Sequence, residues 1–143
     1  MTPSKIPIWV RAAYGLFALW FALLGAHMLA DPAGWYHATP GVSAEGPLNI
    51  HFIRDIGSAF IMVAAAYGLS LQRNTSWQLP AVAAALPALH GIIHLISIVG
   101  GHSHGSALIV ELLGVVFPGG IAVLLALVHY KHQKKGTSHD VSF

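Results

Sequence analysis

Four apolar stretches, each about as long as a lipid hydrocarbon core is thick, limit what this chain can become. They run from about Ala12 to Ala30, Phe52 to Leu71, Leu79 to Gly100 and Ala107 to Tyr130, and a helix needs roughly 20 such residues to cross a bilayer. Lipid offers no water to backbone polar groups, so each stretch must satisfy its own, as helices do. The expected fold class is an all-α integral membrane protein, a four-transmembrane-helix bundle. One domain spans residues 1–130, and a short mobile tail covers 131–143. The low charge content agrees. Only 8% of residues are charged, against roughly 25% in an ordinary soluble domain. A soluble protein of 143 residues has too much surface to cover with so few.

The first stretch has some marks of a signal peptide, with Lys5 and Arg11 ahead of an apolar core and Ala30 at a cut site. Met28 is too large for the position two before that cut, so the segment is read as a retained helix. Cysteine is absent, which excludes disulfides and thiolate chemistry. The net charge of +2 comes from scattered residues, so nucleic acid is not an expected partner. The lipid bilayer is.

Basic residues set the orientation. Lys5 and Arg11 precede the first span, Arg73 lies between the second and third, and Lys131, Lys134 and Lys135 follow the fourth. The segments 31–49 and 101–106 contain no Lys or Arg. Both termini are therefore expected in the cytoplasm of a cell membrane, a bacterial inner membrane, with these two loops outside. Trp9, Trp77 and Tyr130 suit the inner interface, and Trp35 and Tyr36 the outer one. Pro80, Pro87 and Pro118 stand where spans tolerate helix breakers. Alanine-rich stretches such as 81–88, and the Ala64/Gly68 pair, suit close helix contacts.

On this topology the histidines, 10 in all, become an arrangement. His27 lies near the outer end of the first helix and His51 opens the second, with Arg54 and Asp55 in the next turn. His94 lies about 9 Å below the outer end of the third helix at 1.5 Å per residue, and His90 is one turn deeper. Glu111 stands in the first turns of the fourth helix. His51 and Asp55 are four apart, as are His90 and His94, so each pair shares a helix face. Such pairs on neighbouring helices are how bundles build interior metal sites.

Imidazole and carboxylate without sulfur suit a transition metal such as copper, zinc or iron. The expected ligands are His51, His90, His94 and His27, with Asp55 a ligand or a residue that orients one. Glu111 would accept a hydrogen bond from a ligating histidine, and Arg54 would form an ion pair. A haem held by His27 or His51 opposite His94 is a variant of the same idea. The plain alternatives stay open. Arg54 and Asp55 can be a structural ion pair, and His90 and His94 can bond a neighbouring helix, for instance the carbonyl freed by Pro87. His37, His102, His104, His129, His132 and His139 can simply be hydrated.

The stretch Pro47-Leu48-Asn49-Ile50-His51-Phe52-Ile53-Arg54-Asp55-Ile56-Gly57 packs charge into a helix start in the manner of a motif. In length and layout the chain resembles the small bacterial four-helix membrane proteins of the broad DoxX-like type. That resemblance implies a fold and no functional residue.

Three functions follow as expectations. One is a metal or redox-cofactor site in the outer half of the bundle. Another is an accessory subunit stabilising a larger membrane complex, with other membrane subunits or further copies of this chain as partners. The third is a small transporter or proton relay through His90, His94, Asp55 and Glu111. A hydrolase is not expected. Ser58 lies one position off the face of His51 and Asp55, and the glycine pairs lack the Lys and following hydroxyl residue of a phosphate loop.

Overall fold

The computed structural model describes residues 6–72, 74–102 and 105–139, the last four of these without side chains. Lys5, Arg73 and His104 from the sequence reading lie outside it, as does the side chain of His139. The described chain is helical: α1 (Ile8–Ala30), α2 (Pro32–Ala38), α3 (Val42–Glu45), α4 (Ile50–Leu69), α5 (Gln78–Val99), α6 (Gly105–Glu111) and α7 (Phe117–His139). A π-helical turn, Leu112–Val116, joins α6 to α7 without a break.

Among the described residues, four segments are long and apolar enough to cross a membrane: Ile8–Ala30, Ile50–Leu69, Gln78–Val99 and Gly105–Lys135. The start of α1, the α4–α5 connection and the end of α7 share one end of the bundle. There Arg11 reaches the Leu71 carbonyl and Tyr14 reaches His129. It is the terminal end of the bundle. The opposite, loop end carries α2, α3 and α6.

The first span begins earlier than its hydropathy suggests, because Arg11 need not leave the helix. Its guanidinium gives Nε and Nη2 hydrogens to the Leu71 carbonyl at 3.2 and 2.9 Å, answering an acceptor just past the last turn of α4. Asn49 caps α4, its side-chain oxygen accepting from the Phe52 amide at 3.0 Å. Asp31 does the same for α2 through Gly34, followed by Pro32 at a position where the missing N–H costs nothing. The expected outer loop is thus two short helices. Tyr36, expected at the outer interface, is buried and donates to the Gly46 carbonyl at 2.6 Å.

The residues beyond Lys131, read as a mobile tail, continue α7 to His139. Gln133 holds that continuation in place. Its amide nitrogen donates to the Thr75 carbonyl at 2.7 Å, and its oxygen accepts from the Trp77 amide at 3.0 Å.

Side chains sort as they should for a chain in lipid. Leu16, Leu23, Ile96, Val99 and Leu113 point outward, while aromatic rings and small residues fill the inside. Lipid tails are as apolar as leucine, so close packing and interhelical hydrogen bonds must hold the helices together. Helix α1 lies along α4 and α5 along α7. The α1–α4 crossing is at Gly25 and Gly57, where a Cβ on Gly25 would stand 2.7 Å from the Gly57 carbonyl oxygen. The α5–α7 crossing brings Gly119 against Pro87, whose carbonyl oxygen would lie 2.6 Å from an added Cβ. Gly68, expected at a contact, would meet nothing within 4 Å.

The π turn has a local cause. Pro118 has no N–H for the Gly114 carbonyl, and its ring would crowd that oxygen in a regular helix. Widening the preceding turn removes the clash, and the Phe117 amide bonds to the Leu112 carbonyl five residues back.

Candidate functional site

Polar side chains inside the bundle form two groups, one toward each end. Toward the loop end, α5 presents His90 and His94 on one face, their rings edge to face with centroids 4.6 Å apart. Glu111, the last residue of α6, places Oε2 3.3 Å from Nδ1 of His94. Both side chains are largely shielded, His94 29% and Glu111 13% exposed. His90 turns its other side to the ring edge of Phe60 on α4, 6.4 Å between centroids. Among the described residues His90 makes these ring contacts and no hydrogen bond to a carbonyl freed by Pro87.

The π turn sets the direction of Glu111. It packs on the bare face of Gly91, where a Cβ would lie 3.5 Å from the Val115 carbonyl oxygen and the Val116 Cα. Gly91 adjoins His90 in the chain, so this contact fixes α6 beside both histidines.

The remaining expected residues lie elsewhere. His51 bonds within its own helix, Nε2 to Asp55 Oδ2 at 3.5 Å, with side chains 90% and 60% exposed. Arg54 and His27 are exposed. Among the described residues Arg54 forms no ion pair with Asp55 or any other acid. The Ser58 hydroxyl donates to the Arg54 carbonyl at 2.9 Å, one turn back on its own helix. His37 and His102 are exposed. The contacts His51–Asp55 and His94–Glu111 thus lie apart from each other at the loop end. No group of three or more metal-donating side chains converges among the described residues.

The second polar group, at the terminal end, contains a residue that sequence reasoning passed over. His129, read as hydrated, is fully buried. Its Nδ1 lies 3.2 Å from the Tyr14 hydroxyl and its Nε2 3.2 Å from the Thr75 carbonyl. Tyr14 also stands 3.3 Å from the Leu125 carbonyl, and its ring packs on that of Tyr67, 5.6 Å away. The Tyr67 hydroxyl is buried without a hydrogen-bond partner among the described residues. A signal for His129 did exist. Ala122, Leu125, Ala126 and His129 fall on one helical stripe, and its small members mark that face as an inner one.

Between the two groups lies an apolar stretch of rings. Tyr67 stacks on Phe21 at 6.3 Å, and Phe21 meets Phe60 at 5.5 Å. Phe60 then leads to His90. Aromatic contacts therefore run unbroken from His129 to His94, polar at both ends and apolar in the middle. No family model, curated protein or solved structure matches this chain.

Proposed function

We propose that this protein is a small proton-carrying membrane protein, with both termini in the cytoplasm and the His94–Glu111 pair as its outer proton site. The pair itself carries the reading. A carboxylate and an imidazole held 3.3 Å apart can share one proton, and either can accept another from the loop end. Ionisable groups within a span cost a few kcal/mol or more, so two of them placed together from different helices point to use rather than accident. His90, edge-on to His94, is the next base inward.

Proteoliposomes loaded with a pH-sensitive dye and given a potassium diffusion potential test this reading. Wild-type protein should acidify or alkalinise the lumen, and Glu111→Gln or His94→Ala should slow that flux at least tenfold. Empty-liposome rates for the wild type would end the proposal.

One observation supports a second reading, a cofactor site. With Nδ1 turned to Glu111, His94 keeps Nε2 for another partner, as a metal-bound histidine does when a carboxylate orients it. A metal or haem there needs further ligands from lipid-facing space or another subunit. Metal and haem analysis of purified protein separates the readings. Bound metal lost in His94→Ala and reduced roughly 10–100-fold in affinity by Glu111→Gln favours the cofactor.

A further inference from the structure

The polar group at the terminal end has a chemistry independent of the outer pair. The two ring nitrogens of His129 face partners of different kinds. Nε2 meets the Thr75 carbonyl at 3.2 Å, and a carbonyl only accepts, so Nε2 carries hydrogen in every state. Nδ1 meets the Tyr14 hydroxyl at 3.2 Å, and a hydroxyl both donates and accepts. The same hydroxyl lies 3.3 Å from the Leu125 carbonyl.

Two complete hydrogen-bond patterns therefore fit one set of heavy atoms. With a neutral ring, Tyr14 donates to Nδ1. With a proton added at Nδ1, that nitrogen donates to the Tyr14 oxygen, and the hydroxyl hydrogen turns to Leu125. Each pattern pairs both ring nitrogens, and no side chain has to move.

We infer that His129 and Tyr14 form a second, interior proton-binding site, in which the Tyr14 hydroxyl turns between Nδ1 of His129 and the Leu125 carbonyl. The proton arrives from water and bonds to the Nδ1 lone pair, and no other covalent bond changes. Burial argues that the arrangement is built. A fully enclosed ring that accepts a proton needs acceptors for both its N–H groups, and this site supplies them.

Among the described residues the charged and titratable surroundings are few. On α1, Arg11 lies one turn before Tyr14 but is held on the Leu71 carbonyl. On α4 the neighbour is Tyr67, beyond Tyr14. On α7 itself His132 follows His129 by three residues, whereas Tyr130 faces Trp77 and Lys134 lies over the Tyr130 ring. Helix α5 has no titratable residue before His90. The described acids, Asp31, Glu45, Asp55 and Glu111, lie toward the loop end. Among the described residues, carbonyl dipoles rather than a carboxylate hold the added charge.

The test is nitrogen NMR on protein with 15N-labelled histidine in lipid nanodiscs, with His129→Gln used to assign the His129 signals. At high pH His129 should be the neutral form with hydrogen on Nε2. On acidification both nitrogens should become protonated, reversibly, while tryptophan fluorescence shows the fold intact. In Tyr14→Phe the acceptor for Nδ1–H is gone, and the doubly protonated ring should appear only as the fold is lost. Glu111→Gln disables the proposed outer site and should leave the His129 step in place, so the two proposals fail separately. A His129 ring that stays neutral wherever the wild-type protein is folded overturns the inference. So does a folded Tyr14→Phe protein that titrates like the wild type.

Discussion

Gly25 and Gly57 face each other where α1 crosses α4, and neither has room for a methyl group. A Cβ on Gly25 would sit 2.7 Å from the Gly57 carbonyl oxygen, and one on Gly57 would sit 2.9 Å from the Met28 Cβ. Backbone stands in the way at Gly25, so the helices must part. Gly25→Ala should lower stability by about 1–3 kcal/mol. Gly68→Ala meets open space and should be neutral or slightly stabilising, since alanine is the better helix former. Unfolding in mixed detergent, followed by tryptophan fluorescence, compares the two.

Two buried hydroxyls on adjacent rings predict opposite outcomes. Tyr14 has hydrogen-bond partners, and Tyr14→Phe should cost about 1–2 kcal/mol by stranding Nδ1 of His129. Tyr67 has none among the described residues, so Tyr67→Phe removes an unpaired polar atom and should raise stability by up to about 1 kcal/mol. The same unfolding assay reads both. A loss in Tyr67→Phe comparable to that in Tyr14→Phe would show that the Tyr67 hydroxyl has a partner in the membrane.

Arg11 joins α1 to the α4–α5 turn through two hydrogen bonds to one carbonyl. Lysine reaches with a single point charge and cannot reproduce that fork. Arg11→Lys should cost about 1 kcal/mol and Arg11→Ala about 1.5–3 kcal/mol, measured by thermal unfolding in one detergent.

The π turn before Pro118 makes a further prediction. Such a turn inserts about one residue into the helical register, and one residue is about 100° of rotation. Pro118→Ala should let the segment relax to an α-helix and swing Glu111 away from His94. Proton flux should then fall as it does in Glu111→Gln, although Glu111 is present. Unchanged flux in Pro118→Ala would mean the turn is only a packing device.

Sidedness can be mapped cleanly because the chain has no cysteine. Ala44→Cys, exposed in α3, should react with a membrane-impermeant maleimide in intact cells or right-side-out vesicles. Lys131→Cys, exposed on α7, should react only after permeabilisation. The reverse pattern would invert the proposed topology.

The spans were legible because hydropathy over twenty residues is a strong signal that packing rarely reverses. Their ends were less so. Arg11 argued against starting the first helix early, and only the Leu71 carbonyl, far away in sequence, explains why it fits. The tail after Lys131 was read from composition, and Gln133 holds it through contacts with Thr75 and Trp77. Of the candidate site, the shared face of His90 and His94 follows from their spacing. The approach of Glu111 does not, because the π turn shifts the register that spacing arguments assume. His129 was missed for a simpler reason: a histidine near a helix end suits water as well as burial, and its surroundings decide between them.

Phe21 and Phe60 meet between the two polar groups. The two proposed proton sites stand on either side of them, yet two benzene rings in contact conduct no protons. If the protein carries protons as proposed, charge loaded at one end would stay there until the rings part and water threads between them. The slow step of any traffic would belong to these two side chains, and larger or smaller residues in their place should set its pace without touching a single ionisable atom.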